Sequence, residues 1–162
     1  VETRSRIGDW EADTVIGRQG GAVLVTLVER KSRFSLIIRA ENKTATAVSA
    51  AMTTAMSPHA AHVHTLTYDN GKEFAYHLKV SDELEAKGFF AHPYHSWERG
   101  LNENTNGLIR QYLPKGKSFD DLTDQDVVDI MDRLNNRPRK CLGFRTPNEV
   151  FRKDKSHVAL AS

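Results

Sequence analysis

The chain is poor in several features, and each shortage removes a class of function. It holds one cysteine, Cys141, which excludes an intrachain disulfide and the four-cysteine zinc sites. No run of 18 or more apolar residues occurs, so no membrane-spanning helix is expected. No signal peptide is expected. It begins at Val1 rather than methionine, which leads us to expect a piece of a longer protein. Charge of one sign is scarce too: 23 Lys and Arg face 21 Asp and Glu, a net of +2. Any nucleic-acid binding must then rest on a local patch rather than on a global field. What is present, 162 residues with 39% apolar and 27% charged, suits one globular domain with a proper core.

The pattern of apolar runs lays out an α/β order. Residues 10–17 read as a strand ending at Gly17, and Gly20-Gly21 as a tight turn. Residues 22–28 are apolar almost without break, as in a strand buried on both faces. Residues 33–40 give a third strand, and the short connections predict an antiparallel meander. Thr44 caps a helix to about Met56, closed by Ser57-Pro58. Residues 63–68 return to strand, Asp69-Asn70-Gly71 reads as a turn, and 72–87 as a helix stopped by Gly88. A short strand at 89–91, a loop at 93–99 and a helix over 101–112, stopped by Pro114, follow. Thr123 caps a last helix to Asn135, with Asp124 and Asp126 where the helix dipole favours acids. Residues 136–150 are rich in Pro and Arg. We expect one domain over 1–151 and a disordered tail over 152–162. This order implies a mixed sheet of five strands, its first and fourth strands adjacent at the centre.

Three acids stand out against that layout. Asp13 lies in the first strand, Asp69 ends the fourth, and Glu103 sits in the helical stretch Asn102-Glu103-Asn104-Thr105-Asn106. Two aspartates at strand ends and a helical glutamate can build an all-oxygen site for two divalent cations, which moves phosphoryl groups in nucleic acid. Carboxylates about 4 Å apart repel by roughly 4 kcal/mol at an effective dielectric near 20, so three together need a cation or a proton. Magnesium suits such hard oxygen ligands. Spacing does not choose the first acid, because Asp9, Glu11 and Asp13 all fall on one side of a strand.

Other residues gather around this site. Asn102 and Asn106 flank Glu103 and share a face with Arg110, a combination suited to phosphate and base-edge contacts. Gly107 would admit DNA, another protein or a strand of its own chain. Arg99, Arg110, Lys115, Lys117, Arg137, Arg139 and Lys140 concentrate after residue 98 and are the candidate DNA-contacting cations. His59, His62 and His64 cluster, but nothing supplies a zinc set with structural spacing, and solvated histidines are expected. His92 and His95 read as loop structure, Trp10, Phe34, Phe89 and Phe90 as core, and Cys141 as a small packing residue. Trp97 suits stacking on a base or anchoring its loop equally well.

Three blocks resemble one known family. Gly8-Asp9-Trp10-Glu11-Ala12-Asp13-Thr14-Val15-Ile16-Gly17 resembles the first catalytic block of the insertion-sequence-thirty family of bacterial DDE transposases. Thr67-Tyr68-Asp69-Asn70-Gly71-Lys72-Glu73-Phe74 resembles the second, and residues 99–116 resemble the third. Leu134-Asn135-Asn136-Arg137-Pro138-Arg139-Lys140, followed by Thr146-Pro147, is similar to the segment that ends retroviral-type integrase cores. The blocks run in order over about residues 8–151.

The resemblance selects Asp13 and implies that Asp13, Asp69 and Glu103 are a catalytic, metal-binding triad. It implies a ribonuclease H-like fold, two magnesium or manganese ions, DNA cleavage and transfer of a 3′ hydroxyl into target DNA. Element ends and target DNA would be partners, in an assembly of at least two copies, in the cytoplasm at the nucleoid. Two departures stand out: Ser96 replaces an expected proline, and the family's amino-terminal helix-turn-helix region is missing. The rivals are a nuclease of the same fold that never joins DNA, and a non-catalytic DNA-binding module.

Overall fold

The computed structural model describes residues 6–68, 71–90 and 100–153. Five strands are β1 (Asp9–Ile16), β2 (Val23–Glu29), β3 (Ser35–Ala40), β4 (Thr65–Tyr68) and β5 (Lys87–Phe90). The α-helices include α1 (Ala45–Met56), α2 (His77–Leu84), α3 (Gly100–Tyr112) and α4 (Asp124–Asn135). The strands form one sheet in the order β3-β2-β1-β4-β5. The first three make the antiparallel meander, and β4 and β5 add in parallel. Parallel neighbours need a crossover, and α1 and α2 provide them.

The sheet carries helices on both faces, which is why β2 is buried at all of its positions. Because side chains alternate along a strand, the two faces make separate cores. Trp10, Ala12, Val25 and Leu27 pack with Val48 and Met52 of α1. Val15, Leu24 and Ile37 pack with Ile109 of α3, with Leu113 just after it, and with Val127 and Leu134 of α4. Each such large apolar side chain contributes roughly 1.5–3 kcal/mol on burial.

Both threonine caps form as the sequence predicts. Thr44 accepts from Ala47 N, and Thr123 makes a reciprocal capping box with Asp126. Ser57-Pro58, however, does not simply end α1; it opens a 3₁₀ segment, Ser57–His62. The single helix expected over 72–87 is instead a 3₁₀ turn, Lys72–Phe74, followed by α2. The break follows from Glu73 and Phe74, which both turn inward and are buried. Helix α2 ends at Glu85 in the left-handed region, φ 53, which lets Ala86 N reach Ser81 O at 2.9 Å. Gly88 is not the stop. It lies within β5, where a Cβ would come 2.9 Å from Ser81 Oγ.

Residues 147–153 are helical, and Phe151 is buried. Its ring stacks on Phe34 at 4.3 Å and meets Trp10 edge-on at 5.8 Å. His59 and His62 pack their rings against Phe151, so these two are not simply solvated. His64 is exposed. Residues 154–162, His92, His95 and Trp97 lie outside the described residues, as do the side chains of Phe89 and Phe90. Asn135 is buried, and its amide closes the open edge of β3. Its Oδ1 accepts from Ser35 N and its Nδ2 donates to Ser35 O, both at 2.8 Å.

Candidate active site

Asp9, Glu11 and Asp13 lie along one side of β1, all buried. Their partners separate them. Asp9 takes two hydrogen bonds from the Arg6 guanidinium at 3.0 Å and one from Thr65 Oγ1 at 2.7 Å. Burial pushes the Asp9 carboxyl up, but the hydrogen bonds and charge of Arg6 and the Thr65 hydroxyl outweigh it and hold the carboxyl below its ordinary value. Glu11 pairs with Arg30, Oε2 to Nε at 3.2 Å. Asp13 instead meets an amide from α3: Asn106 Nδ2 donates to its Oδ2 at 3.1 Å, while Thr14 N donates to its Oδ1 at 2.8 Å. Two of the three acids are thus matched to arginines of the fold's own, and the third faces the helix that carries Glu103.

Helix α3 is seated by Leu101, Thr105, Ile109 and Leu113, buried at four-residue spacing. Asn106 and Arg110 lie beside that seam. Glu103 is exposed, one turn before Asn106 and on the same side. Asp69 and Arg99 lie outside the described residues, and so does the side chain of Asn102. Among the described residues no three His, Cys, Asp or Glu side chains meet as a cation site. The donors present nonetheless fit a hard divalent ion. Asp13 offers carboxylate oxygen, and Asn106 Oδ1 is a buried acceptor with no partner among the described residues.

Six of the seven expected cations lie among the described residues. Arg110 is half-buried and spans the ends of two elements, donating to Ile16 O at 2.6 Å and Leu113 O at 3.5 Å over the Phe119 ring. The following loop is pinned to the β1–β2 turn. Arg39 donates to Phe119 O and Asp120 O, and Asp120 accepts from Ala22 N at 2.8 Å. Gly17 is required there, because a Cβ would come 2.6 Å from Lys117 O. Lys115 and Lys117 are left exposed, Lys117 by Gly17 just past the carboxyl end of β1. Arg137, Arg139 and Lys140 follow α4, and Arg137 Nη1 donates to Gln111 Oε1 of α3 at 3.3 Å. Arg139 is partly buried, with Nη2 directed at Leu134 O at 3.4 Å. Gly107 is exposed, and a Cβ there would meet nothing within 4 Å, so it does not pack on a strand of its own chain.

Two buried acids were hidden by the sequence pattern. Glu73 sat in an expected surface helix, yet it accepts from Thr14 Oγ1 at 3.1 Å and pairs with Lys43 Nζ at 3.5 Å. Glu29 ends an apolar strand and braces the β2–β3 turn, accepting from Ser32 N, Ser32 Oγ and Gly8 N. Burial pushes its carboxyl up, against the Ser32 hydrogen bonds that lower it.

No family model matches the chain. Over 164 residues it is 46% identical to the transposase for insertion sequence element IS4351 of Bacteroides fragilis, covering 100% of this chain and 50% of that protein. It is 40% identical over 152 residues to transposase InsI for insertion sequence element IS30A of Escherichia coli K12, covering 93% of this chain and 39% of that one. Among solved structures, the catalytic core domain of BIV integrase superposes with a TM-score of 0.70 at 18% identity, covering 93% of this chain and 97% of that one. The HTLV-2 integrase catalytic core, solved in complex with magnesium, superposes at 0.68 with 18% identity, covering 90% and 97%.

The fold is therefore that of an integrase catalytic core, a ribonuclease H-like mixed sheet of five strands. The chain is homologous along its whole length to transposases of bacterial insertion sequences of the IS30 type. It spans about half the length of those curated relatives or less. Among the described residues no helix is long and apolar enough to cross a membrane.

Proposed function

We propose that this chain is the catalytic core of a DDE transposase, which cuts DNA at an element end and transfers the freed 3′ hydroxyl into target DNA. Asp13, Asp69 and Glu103 would hold two divalent cations, magnesium or manganese. One observation carries the reading: the Asn106–Asp13 hydrogen bond sets the Glu103 side of α3 against a buried acid of the central strand. The β1–β4 register supports the third member. Asp9 pairs with Thr65 and Glu11 with Thr67, so β4, whose last residue precedes Asp69 in sequence, runs beside the strand of Asp13.

Cations bound there would activate an attacking oxygen and stabilise the leaving one. The chain's own residues do the rest. Thr14 N–H and Asn106 fix the Asp13 carboxylate by a hydrogen bond to each oxygen. Lys115 and Lys117 would neutralise phosphates near the cut, with Arg99, Asn102 and Arg110 along the catalytic helix. Arg137, Arg139 and Lys140 belong to a second basic area. In-line attack needs positioning and charge stabilisation rather than a covalent intermediate. Element ends and target DNA are the proposed partners, the active assembly holds at least two copies, and the site of action is the cytoplasm. We take the core to run to Phe151, which closes an aromatic cluster with Trp10 and Phe34.

The test is a strand-transfer assay on the full-length protein with pre-cut element ends and magnesium. Joined product that is lost in D13N, D69N and E103Q supports the proposal. Cleavage without any joined product would favour a nuclease of the same fold, and unchanged activity in E103Q would break the triad.

A further inference from the structure

The loop between α4 and the last helical segment presents an exposed aromatic ring in a disfavoured backbone conformation. Phe144 is 70% exposed and has φ 65, directly after Gly143 at φ 64. A side chain with a Cβ is disfavoured in the left-handed region, and a bulky one there calls for an explanation. Burial of the ring does not supply it. The loop that imposes the conformation is well ordered by its own bonds. Phe144 N donates to Arg139 O at 2.8 Å, Arg139 N to Arg145 O at 3.0 Å, and Gly143 N to Lys140 O at 3.1 Å. The Arg145 guanidinium adds a bond to Leu142 O at 3.0 Å, and Leu142 is buried beneath. The loop thus holds the ring outward.

The ring stands among cations. Residues 137–145 contain Arg137, Arg139, Lys140 and Arg145 and no acid, in a chain whose net charge is only +2. Arg137, Lys140 and Arg145 are exposed. Arg137 also donates to Gln111 Oε1 at 3.3 Å, which ties this loop to α3, the helix of Glu103. A second copy of the chain docking here about a two-fold axis would set cations against cations. A flat π-face flanked by exposed guanidinium and ammonium groups matches nucleic acid, where bases stack on aromatics and cations take phosphates.

We infer that Phe144 is a base-stacking contact in a second DNA-binding surface, with Arg137, Lys140 and Arg145 on the neighbouring phosphates. The Arg137–Gln111 bond sets it beside α3, so it grips DNA that flanks the reacting phosphodiester. The inference rests on the reading of this chain as a DNA-joining core.

The experiment compares full-length wild type with F144G, F144W and R145A. The probe is a duplex with a single-stranded extension bearing 2-aminopurine. Glycine relieves the left-handed strain, so F144G should melt no lower than wild type. It should bind the probe roughly tenfold more weakly and lose the stacking quench, and F144W should restore both. R145A should lower the salt slope of binding by about one while F144G leaves it unchanged. Unchanged affinity and quench in F144G overturn the inference. So does a change of sedimentation behaviour in F144G with DNA binding intact, which would make this surface a protein contact. Wild type that quenches through Phe144 but neither cuts nor joins DNA sinks the transposase reading and leaves this contact standing.

Discussion

Asn106 Nδ2 lies 3.1 Å from Asp13 Oδ2, and this hydrogen bond joins α3 to the central strand. The Asn106 amide oxygen, Oδ1, is buried without a partner among the described residues. An amide in that position orients the carboxylate and leaves an acceptor for water held by a cation. N106A should therefore lower magnesium-dependent joining about 10- to 100-fold. The fold should lose only about 1 kcal/mol, the usual net worth of one hydrogen bond. Magnesium titration of activity checks this. Wild-type metal dependence in N106A would reduce the bond to packing.

Glu73 bridges two segments that the site needs in register. Its carboxylate receives Thr14 Oγ1, next to Asp13, and sits on the Lys72–Phe74 turn that follows Asp69 in sequence. A Cβ on Gly71 would collide with the Glu73 carboxylate, so the turn is wrapped closely around it. E73A should raise the magnesium concentration needed for half-maximal activity and cost about 1–3 kcal/mol, because Thr14 and Lys43 lose a buried partner. E73Q, which keeps the acceptor, should recover most of the magnesium response. Equal metal responses in E73A and wild type would confine Glu73 to stability.

Asp9 gives the fold a pH dependence whose sign is fixed. Its carboxyl is held below the ordinary value despite burial, by Arg6 and Thr65. Its stabilisation is therefore complete above the unfolded value, about pH 3.9, and is lost as pH falls through the lower folded value. D9N should be less stable than wild type at pH 7 by about 1–2 kcal/mol, since Arg6 is partly exposed. Denaturant melts at pH 7 and pH 3 test this. A gap that stays constant with pH would contradict the assignment.

Asn135 guards the β3 edge through both polar atoms of its amide. N135L removes both bonds and leaves buried backbone groups of Ser35 unpaired, which costs about 2–4 kcal/mol. The variant should also aggregate more readily, because an uncovered edge strand pairs with other chains. A melting temperature within a degree of wild type would show that water replaces the amide without loss.

The fold was legible wherever apolar runs were long. The unbroken run at 22–28 marked the buried β2, and Thr44 and Thr123 marked helix starts at the residues that cap them. What stayed hidden depends on partners far apart in sequence. Nothing local reveals that Glu73 turns inward to Thr14, so 72–87 read as a single surface helix. Phe151 looked like the edge of the domain because its partners, Trp10 and Phe34, lie at the other end of the chain. The three acids of β1 are equivalent by period. Arg6, Arg30 and Asn106, from three separate segments, distinguish them. The cations after residue 98 are neighbours in sequence, but their partners are far apart: Arg110 bonds Ile16 O, and Arg137 bonds Gln111.

The central claim is that Asp13, Asp69 and Glu103 together hold divalent cations. Anomalous diffraction from crystals soaked in manganese tests it most directly. The account predicts manganese peaks bounded by those three carboxylates, with Asn106 Oδ1 facing a metal-bound water. Manganese that binds elsewhere, or a site at Asp13 that persists unchanged in an E103Q crystal, would contradict it.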